Sequence, residues 1–231
     1  MITAVVLVAG GTGTRMGSDR PKQFLDLCGK PVFIRTLEIF LAWRNNLFFQ
    51  VVMPEAYLAE AQELVEKHSN ISRNQIGFCS GGETRTLSVW KGLQAVASSM
   101  NPEDMVCIHD AVRPLIQSEL LTENENIGNK YGNAIACIPV KSSLRRITPL
   151  GTEAVDRSQF YHVQTPQSFV WKSIWNAYSN RTSDDFTDDA SLLESQGENI
   201  YISPGNYDNL KLTTPEDLLL ARLLFENLPK P

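Results

Sequence analysis

The sequence predicts an α/β fold, a mostly parallel sheet with helices on both faces. Three observations carry that prediction. Apolar, β-branched runs alternate along the chain with segments of helical period. The first run, Val5 to Val8, passes straight into Gly10, Gly11 and Gly13, as a buried parallel strand does when it turns toward a helix. The chain has 231 residues, 42% of them apolar, which suffices for one domain with a sizeable core.

The elements follow in order. After the glycine loop, Pro31 opens a helical pattern with Phe33, Leu37, Phe40 and Leu41 on one face. Phe48 to Met53 is a strand closed by Pro54. Leu58, Ala61 and Val65 mark the next helix, and Ile76 to Cys79 a short strand. The following helix turns Val89, Leu93, Val96 and Ala97 inward. Met105 to Ile108 is a strand running into His109-Asp110, Leu120 to Ile127 is helical, and Ala134 to Val140 is a strand. Lys141 to Gln164 breaks the alternation. It is polar and too short for a core of its own, so it reads as an arm of short or extended strands. Val170 to Asn180 is helical, and Thr187 opens another helix as its cap, with Asp188 and Asp189 in the first turn. Ile200 to Ser203 is a strand. Thr214-Pro215-Glu216-Asp217 starts the last helix with a cap, a first-turn proline and an acid three residues on. Leu218, Ala221, Arg222 and Phe225 lie along one side of it.

Composition excludes several classes. A formal net charge of −5 argues against a nucleic-acid footprint. Cys28, Cys79, Cys107 and Cys137 are scattered without a C-x-x-C pair, so they suggest buried free thiols rather than a zinc site or disulfides. No signal peptide is recognised and no apolar run reaches membrane-spanning length. A soluble, cytoplasmic protein with no membrane partner is expected.

The chemistry concentrates at strand ends, where open α/β sheets bind ligands. The first strand delivers the glycines, then Arg15 and Lys22. The glycines let bare N–H groups approach an anion, and the two cations can fold over it. The structural alternative is a plain turn with solvated charges. The loop is not a P-loop, because Gln23 follows Lys22, and not a dinucleotide fingerprint, because Met16 stands where the third glycine belongs. The strand at Ile76 delivers Gly81, Gly82 and Arg85, and the strand at Met105 delivers Asp110 and Arg113. The segment after Ile200 delivers Asn209 and Lys211. One carboxylate among several cations suits a Mg²⁺–polyphosphate site. Asp110 could instead cap the turn before Pro114, and Arg113 could be an ordinary ion-pair partner.

These motifs, taken together, identify a resemblance that spans almost the whole chain. They are Ala9-Gly10-Gly11-Thr12-Gly13-Thr14-Arg15-Met16-Gly17, Pro21-Lys22-Gln23-Phe24, Gly81-Gly82-Glu83-Thr84-Arg85 with Ser88-Val89, and His109-Asp110-Ala111-Val112-Arg113-Pro114. Val155-Asp156-Arg157, Thr165-Pro166-Gln167, Thr187-Asp188-Asp189-Ala190 and Asn209-Leu210-Lys211-Leu212-Thr213 complete the set. The chain resembles the 2-C-methyl-D-erythritol 4-phosphate cytidylyltransferases and, nearly as well, the ribitol 5-phosphate cytidylyltransferases.

The resemblance implies a single Rossmann-like nucleotidyltransferase domain over residues 1–231 with a protruding dimerisation arm at about 141–164. It implies cytidylyl transfer from CTP to a polyol phosphate with loss of pyrophosphate, Mg²⁺ as cofactor, and a homodimer. By it, Arg15 and Lys22 stabilise the transition state, and Asp110 sits by the Mg²⁺. Ala9, Gly10, Gly11, Gly13, Gly82, Glu83, Arg85 and Ser88 hold CTP. Arg113, Ser143, Arg157, Thr165, Thr187 and Lys211 hold the acceptor, with Arg157 and Thr165 reaching across the dimer. Ser142-Ser143 departs from the family, which has Asp-Thr there. Val155-Asp156-Arg157-Ser158 favours the methylerythritol phosphate enzyme over the ribitol phosphate enzyme. A nicotinamide dehydrogenase is disfavoured by the missing glycine, and a non-catalytic nucleotide-sugar binder by Arg15, Lys22 and Asp110.

Overall fold

The computed structural model describes residues 1–11 and 20–227. The elements run β1 (Ile2–Val8), β2 (Asp26–Leu27), β3 (Lys30–Pro31), α1 (Val32–Trp43), β4 (Phe48–Met53), α2 (Leu58–His68), β5 (Ile76–Ser80), α3 (Arg85–Val96) and β6 (Met105–Asp110). They continue with α4 (Ser118–Tyr131), β7 (Asn133–Pro139), β8 (Leu144–Thr148), β9 (Gly151–Val155), β10 (Tyr161–Val170), α5 (Trp171–Ser179), α6 (Asp189–Glu194), β11 (Ile202–Pro204) and α7 (Pro215–Asn227).

The main sheet has the order β11-β7-β10-β6-β1-β4-β5. Its strands run parallel except β10, which pairs antiparallel with both β6 and β7. Alternation along β1 sorts its side chains to two faces. Val5 and Leu7 join the core under α1, α2 and α4, while Ala4, Val6 and Val8 join the core under α3, α5 and α6. A third, smaller core of Leu27, Val32, Val112, Leu115, Leu212 and Ala221 seats α7. This is the mostly parallel α/β domain expected.

Topology decides where a ligand can sit. From β1 the chain moves outward to β4 and β5, then α3 carries it back across to β6 on the other side of β1. The strand order therefore reverses between β1 and β6, and the crevice opens beyond their carboxyl ends. Val8 and Asp110 are register partners there. Gly92 lets α3 lie close on the sheet, since a Cβ would stand 2.6 Å from Val6 Cγ1.

Two corrections follow. Tyr161 to Gln164 belong to β10, not to an arm; residues 141–160 leave the sheet, with β8 and β9 as an antiparallel hairpin. This strand is hard to read from sequence because it is polar, contains Pro166, and shifts register between Val163 and Gln167. Second, Thr187 does not cap α6. Asp188 does, its carboxylate accepting from Ser191 N at 3.0 Å. A carboxylate at this position complements the helix dipole as well as the free N–H.

The base of β1 is pinned by a part-buried ion pair. Glu125 accepts from Ile2 N at 2.7 Å and pairs with Arg44 at 2.5 Å. Burial opposes the charge on Glu125, but the Arg44 and Ile2 hydrogen bonds outweigh it and hold the carboxyl below its usual range. The contribution to stability is complete above the unfolded pKa, about 4.3, and is lost as pH falls through the lower folded value. Glu125→Gln should therefore cost about 1–3 kcal/mol at neutral pH. Its deficit in urea denaturation should close in acid. An unchanged midpoint at pH 7 would contradict this.

Candidate active site

The glycine loop and the start of α3 form one wall. Ala9 N donates to Val52 O at 2.8 Å, continuing the β1–β4 ladder past the strand end. Gly81 N reaches Met53 O at 2.8 Å in the same way. Two backbones then pass side by side: a Cβ on Gly10 would lie 2.8 Å from Ser88 Oγ, and one on Gly81 would lie 3.4 Å from Gly10 Cα. That close approach is why glycine occupies both positions. Ser88 Oγ accepts from Gly82 N at 3.0 Å and donates to Thr84 O at 2.9 Å, so it braces the loop ahead of α3. Thr84 caps α3, accepting from Leu87 N at 3.1 Å. Gln23, buried, donates to Ala9 O at 2.7 Å and holds the glycine loop from the other side.

A cavity of about 280 Å³ lies between these walls. Ala9, Gly10, Gly11, Gly82, Glu83 and Ser88 line it, together with Lys22, Arg85, Asp110 and Lys211. Lys22 Nζ donates to Leu212 O at 2.8 Å, which ties it to the segment carrying Lys211. Gly13 and Arg15 lie outside the described residues.

A second cavity of about 200 Å³ adjoins it, lined by Arg113, Gln164, Thr165, Thr187 and Asp188 among others. Arg85, Asp110 and Lys211 line both. The two cavities thus share a charged wall.

Asp110 is the centre of that wall. Its Oδ2 lies 2.9 Å from Lys211 Nζ and 3.3 Å from Arg113 Nε, and its Oδ1 lies 3.6 Å from Arg85 Nε. Burial alone would favour the neutral acid. Lys211, Arg85 and Arg113 override it and hold the carboxyl well below the usual carboxylate range. Asp110 is therefore ionised at any working pH. Arg113 is fixed further by donating to Asn209 O at 2.8 Å. The cations outnumber the carboxylate, which suits a site that receives anions.

Thr165 corrects one expectation. It stands in its own chain's second cavity, not across a dimer, because it lies where β10 shifts register against β7. Its hydroxyl accepts from Asp110 N at 3.0 Å and meets His109 Nδ1 at 3.1 Å. Ser143 and Arg157 are not brought to either cavity within one chain. They flank the exposed β8–β9 hairpin, where Arg157 donates to Lys141 O. Asp156 does not pair with Arg157; it accepts from Ser158 N at 3.0 Å.

Sequence reasoning missed Gln23, Gln164 and His109. Gln164 takes Asn209 Nδ2 at 3.2 Å and so binds β10 to the Lys211 segment. Gln23 lies within Pro21-Lys22-Gln23-Phe24, but nothing local in the sequence marks it for a role. A glutamine among charges looks solvated until burial is known.

Comparisons with known proteins identify what the chain is similar to. The family model described as 2-C-methyl-D-erythritol 4-phosphate cytidylyltransferase matches residues 3–227. A protein of that name from Phocaeicola vulgatus is 40% identical over 220 residues, covering 95% of this chain and 98% of the relative. Its counterpart from Bacteroides thetaiotaomicron is 37% identical over 97% of this chain and all of the relative. Among solved structures, 4-diphosphocytidyl-2C-methyl-D-erythritol synthase from Anaerococcus prevotii superposes with a TM-score of 0.82. It is 26% identical and covers 98% of this chain and 96% of its own.

Proposed function

The chain belongs to the 2-C-methyl-D-erythritol 4-phosphate cytidylyltransferase family, and from that premise we infer that it transfers the cytidylyl group of CTP to 2-C-methyl-D-erythritol 4-phosphate. The products are pyrophosphate and 4-CDP-2-C-methyl-D-erythritol, in the non-mevalonate synthesis of isoprenoid precursors. The observation that carries the reading is the pair of adjoining cavities with one charged wall between them.

CTP takes the first cavity, its cytidine against the Gly82–Ser88 wall and its phosphates on the glycine loop. The acceptor phosphate takes the second, toward Arg113, Thr165, Thr187 and Lys211. An acceptor oxygen attacks the α-phosphorus, the new P–O bond forms, and the bond to the β-phosphate oxygen breaks in line with it. The nucleophile is already an anion, so no base need take a proton. What the protein supplies is alignment and positive charge. Lys22, and Arg15 by family resemblance, answer the charge that grows on the α-phosphoryl oxygens.

Asp110 would hold Mg²⁺. Among the described residues no three His, Cys, Asp or Glu side chains gather as a protein-only metal cage. A single carboxylate fits a cation that arrives with substrate phosphates and keeps its waters. When bound, the cation neutralises part of the triphosphate charge.

Pyrophosphate release from CTP tests the reading. Release is expected with methylerythritol phosphate and should stop in excess chelator. Release with ribitol 5-phosphate alone would transfer the reading to that acceptor. Turnover in excess chelator would remove the metal.

The same proposal includes a cytoplasmic homodimer. Among the described residues no helix is long and apolar enough to cross a membrane, and both substrates of the reaction carry phosphate charge. The hairpin exposes Ile147 and Leu150, and an exchanged hairpin would bring Arg157 and Ser143 to a partner's acceptor cavity. Mixing an Arg157→Ala subunit with a Lys22→Ala subunit should then restore activity, because one site of each heterodimer has both residues intact. An active monomer by light scattering, or no recovery on proven exchange, would refute the exchanged arm.

A further inference from the structure

Of the three residues that line both cavities, Arg85 is held from behind by groups that line neither. Its Nη2 donates to Asp189 Oδ2 at 2.7 Å, and Tyr178 Oη donates to Asp189 Oδ1 at 2.5 Å. Each carboxylate oxygen is thus assigned one partner. The main chain of Asp189 is pinned as well. Asp189 N and Ala190 N both donate to Gln167 Oε1 at 3.1 Å, and Gln167 Nε2 donates to Asp188 Oδ2 at 2.9 Å. Asp189 is 0% exposed and Tyr178 is 1% exposed. The Tyr178 ring stacks on Trp90 at an interplanar angle of 3°, and Trp90 belongs to α3, the helix that begins at Arg85. Burial and the Asp189 charge push the Tyr178 hydroxyl well above its ordinary pKa, so it stays a proton donor.

We propose that Asp189 and Tyr178 are positioning residues for the transfer, fixing the Arg85 guanidinium on the wall between the nucleotide and acceptor cavities. The proposal rests on the cytidylyl-transfer reading above. An arginine has a long, flexible stem. Unpinned, it would follow the incoming triphosphate and leave the acceptor phosphate facing like charge. Held by Asp189 and drawn to Asp110 at 3.6 Å, it keeps its place beside both anions before either arrives. That placement matters for the step in which the two anions meet, and less for CTP binding, which keeps the glycine loop and Lys22. A merely structural clamp between α3 and the α5–α6 pair would behave differently.

The test is a double-mutant cycle read in steady-state kinetics, far below the melting temperature. Tyr178→Phe keeps the ring on Trp90 and removes only the hydroxyl. It should lower kcat by about 10-fold to 10²-fold, the scale of a small misplacement, with KM for CTP nearly unchanged. Arg85→Gln removes the positioned group, so adding Tyr178→Phe to it should cost no more than about twofold further. Should Tyr178→Phe lose its native circular dichroism, Asp189→Asn replaces it in the same cycle with the same expectation. Native kcat in the folded single variant, or losses that multiply with Arg85→Gln, would overturn the proposal and leave a structural clamp. No transfer by the unaltered enzyme would overturn the functional reading and the proposal with it.

Discussion

Asp110→Ala should abolish transfer and destabilise the folded chain in the same stroke. The carboxylate is the shared counter-ion of Lys211, Arg113 and Arg85. Removing it leaves three cations around a buried gap, and Arg113 in particular cannot turn to water. Breaking a buried pair from one side costs about 3–5 kcal/mol. The sign with pH is definite. The folded carboxyl is depressed, so its stabilisation is complete above the unfolded pKa of about 3.9 and is lost only as pH falls through the lower folded value. The deficit of the variant in urea denaturation should be full at pH 7 and shrink in strong acid. Activity should fall by at least about 10³-fold, because the charged wall and the proposed Mg²⁺ ligand go together. Asp110→Asn separates the two effects: it keeps the shape and the Thr165 contact at Asp110 N but loses the charge. Near-native turnover by Asp110→Asn would show that the carboxylate is a structural counter-ion and nothing more.

Lys22→Ala should lower kcat by about 10²–10³-fold with a smaller change in KM for CTP. The ammonium lines the first cavity, and its bond to Leu212 O at 2.8 Å places it before substrate arrives. A charge already in position acts where negative charge grows, so its loss is felt in the transition state more than in the bound ground state. Stopped-flow single turnovers would separate binding from chemistry. A variant with native kcat and only a raised KM would show that Lys22 does no more than bind nucleotide. Lys22→Arg should recover little, because a broad planar fork cannot put a compact charge at the same point.

Much of this protein was legible in its residues because the signals are local. Phe48 to Met53 is a strand over the very residues its apolar run suggested, and the helix face of Phe33, Leu37 and Phe40 is buried against the sheet. Period and punctuation encode these elements within a few neighbours. The strand-end rule then selected the Lys22, Asp110, Arg113 and Lys211 that line the two cavities, because parallel strands deliver their next residues to one edge. The last helix also starts as read, with Asp217 accepting from Thr214 N at 2.8 Å.

Tertiary structure alone decided the rest. No local period announces β10, whose polar residues pay their burial through hydrogen bonds to strands on both sides. That one antiparallel strand moves Thr165 from an expected place across a dimer to its own chain's cavity, against Asp110. Thr187 and Asp188 are both good caps in sequence, and only the loop's path gave the role to Asp188. Arg85 reads in sequence as one more nucleotide ligand, yet Asp189 and Tyr178 hold it on the wall shared by the two cavities. The physical reason is common to all of these. A side chain's type limits what it can bond, but which partners it meets, and whether water competes, is set by register and burial among segments far apart in the chain.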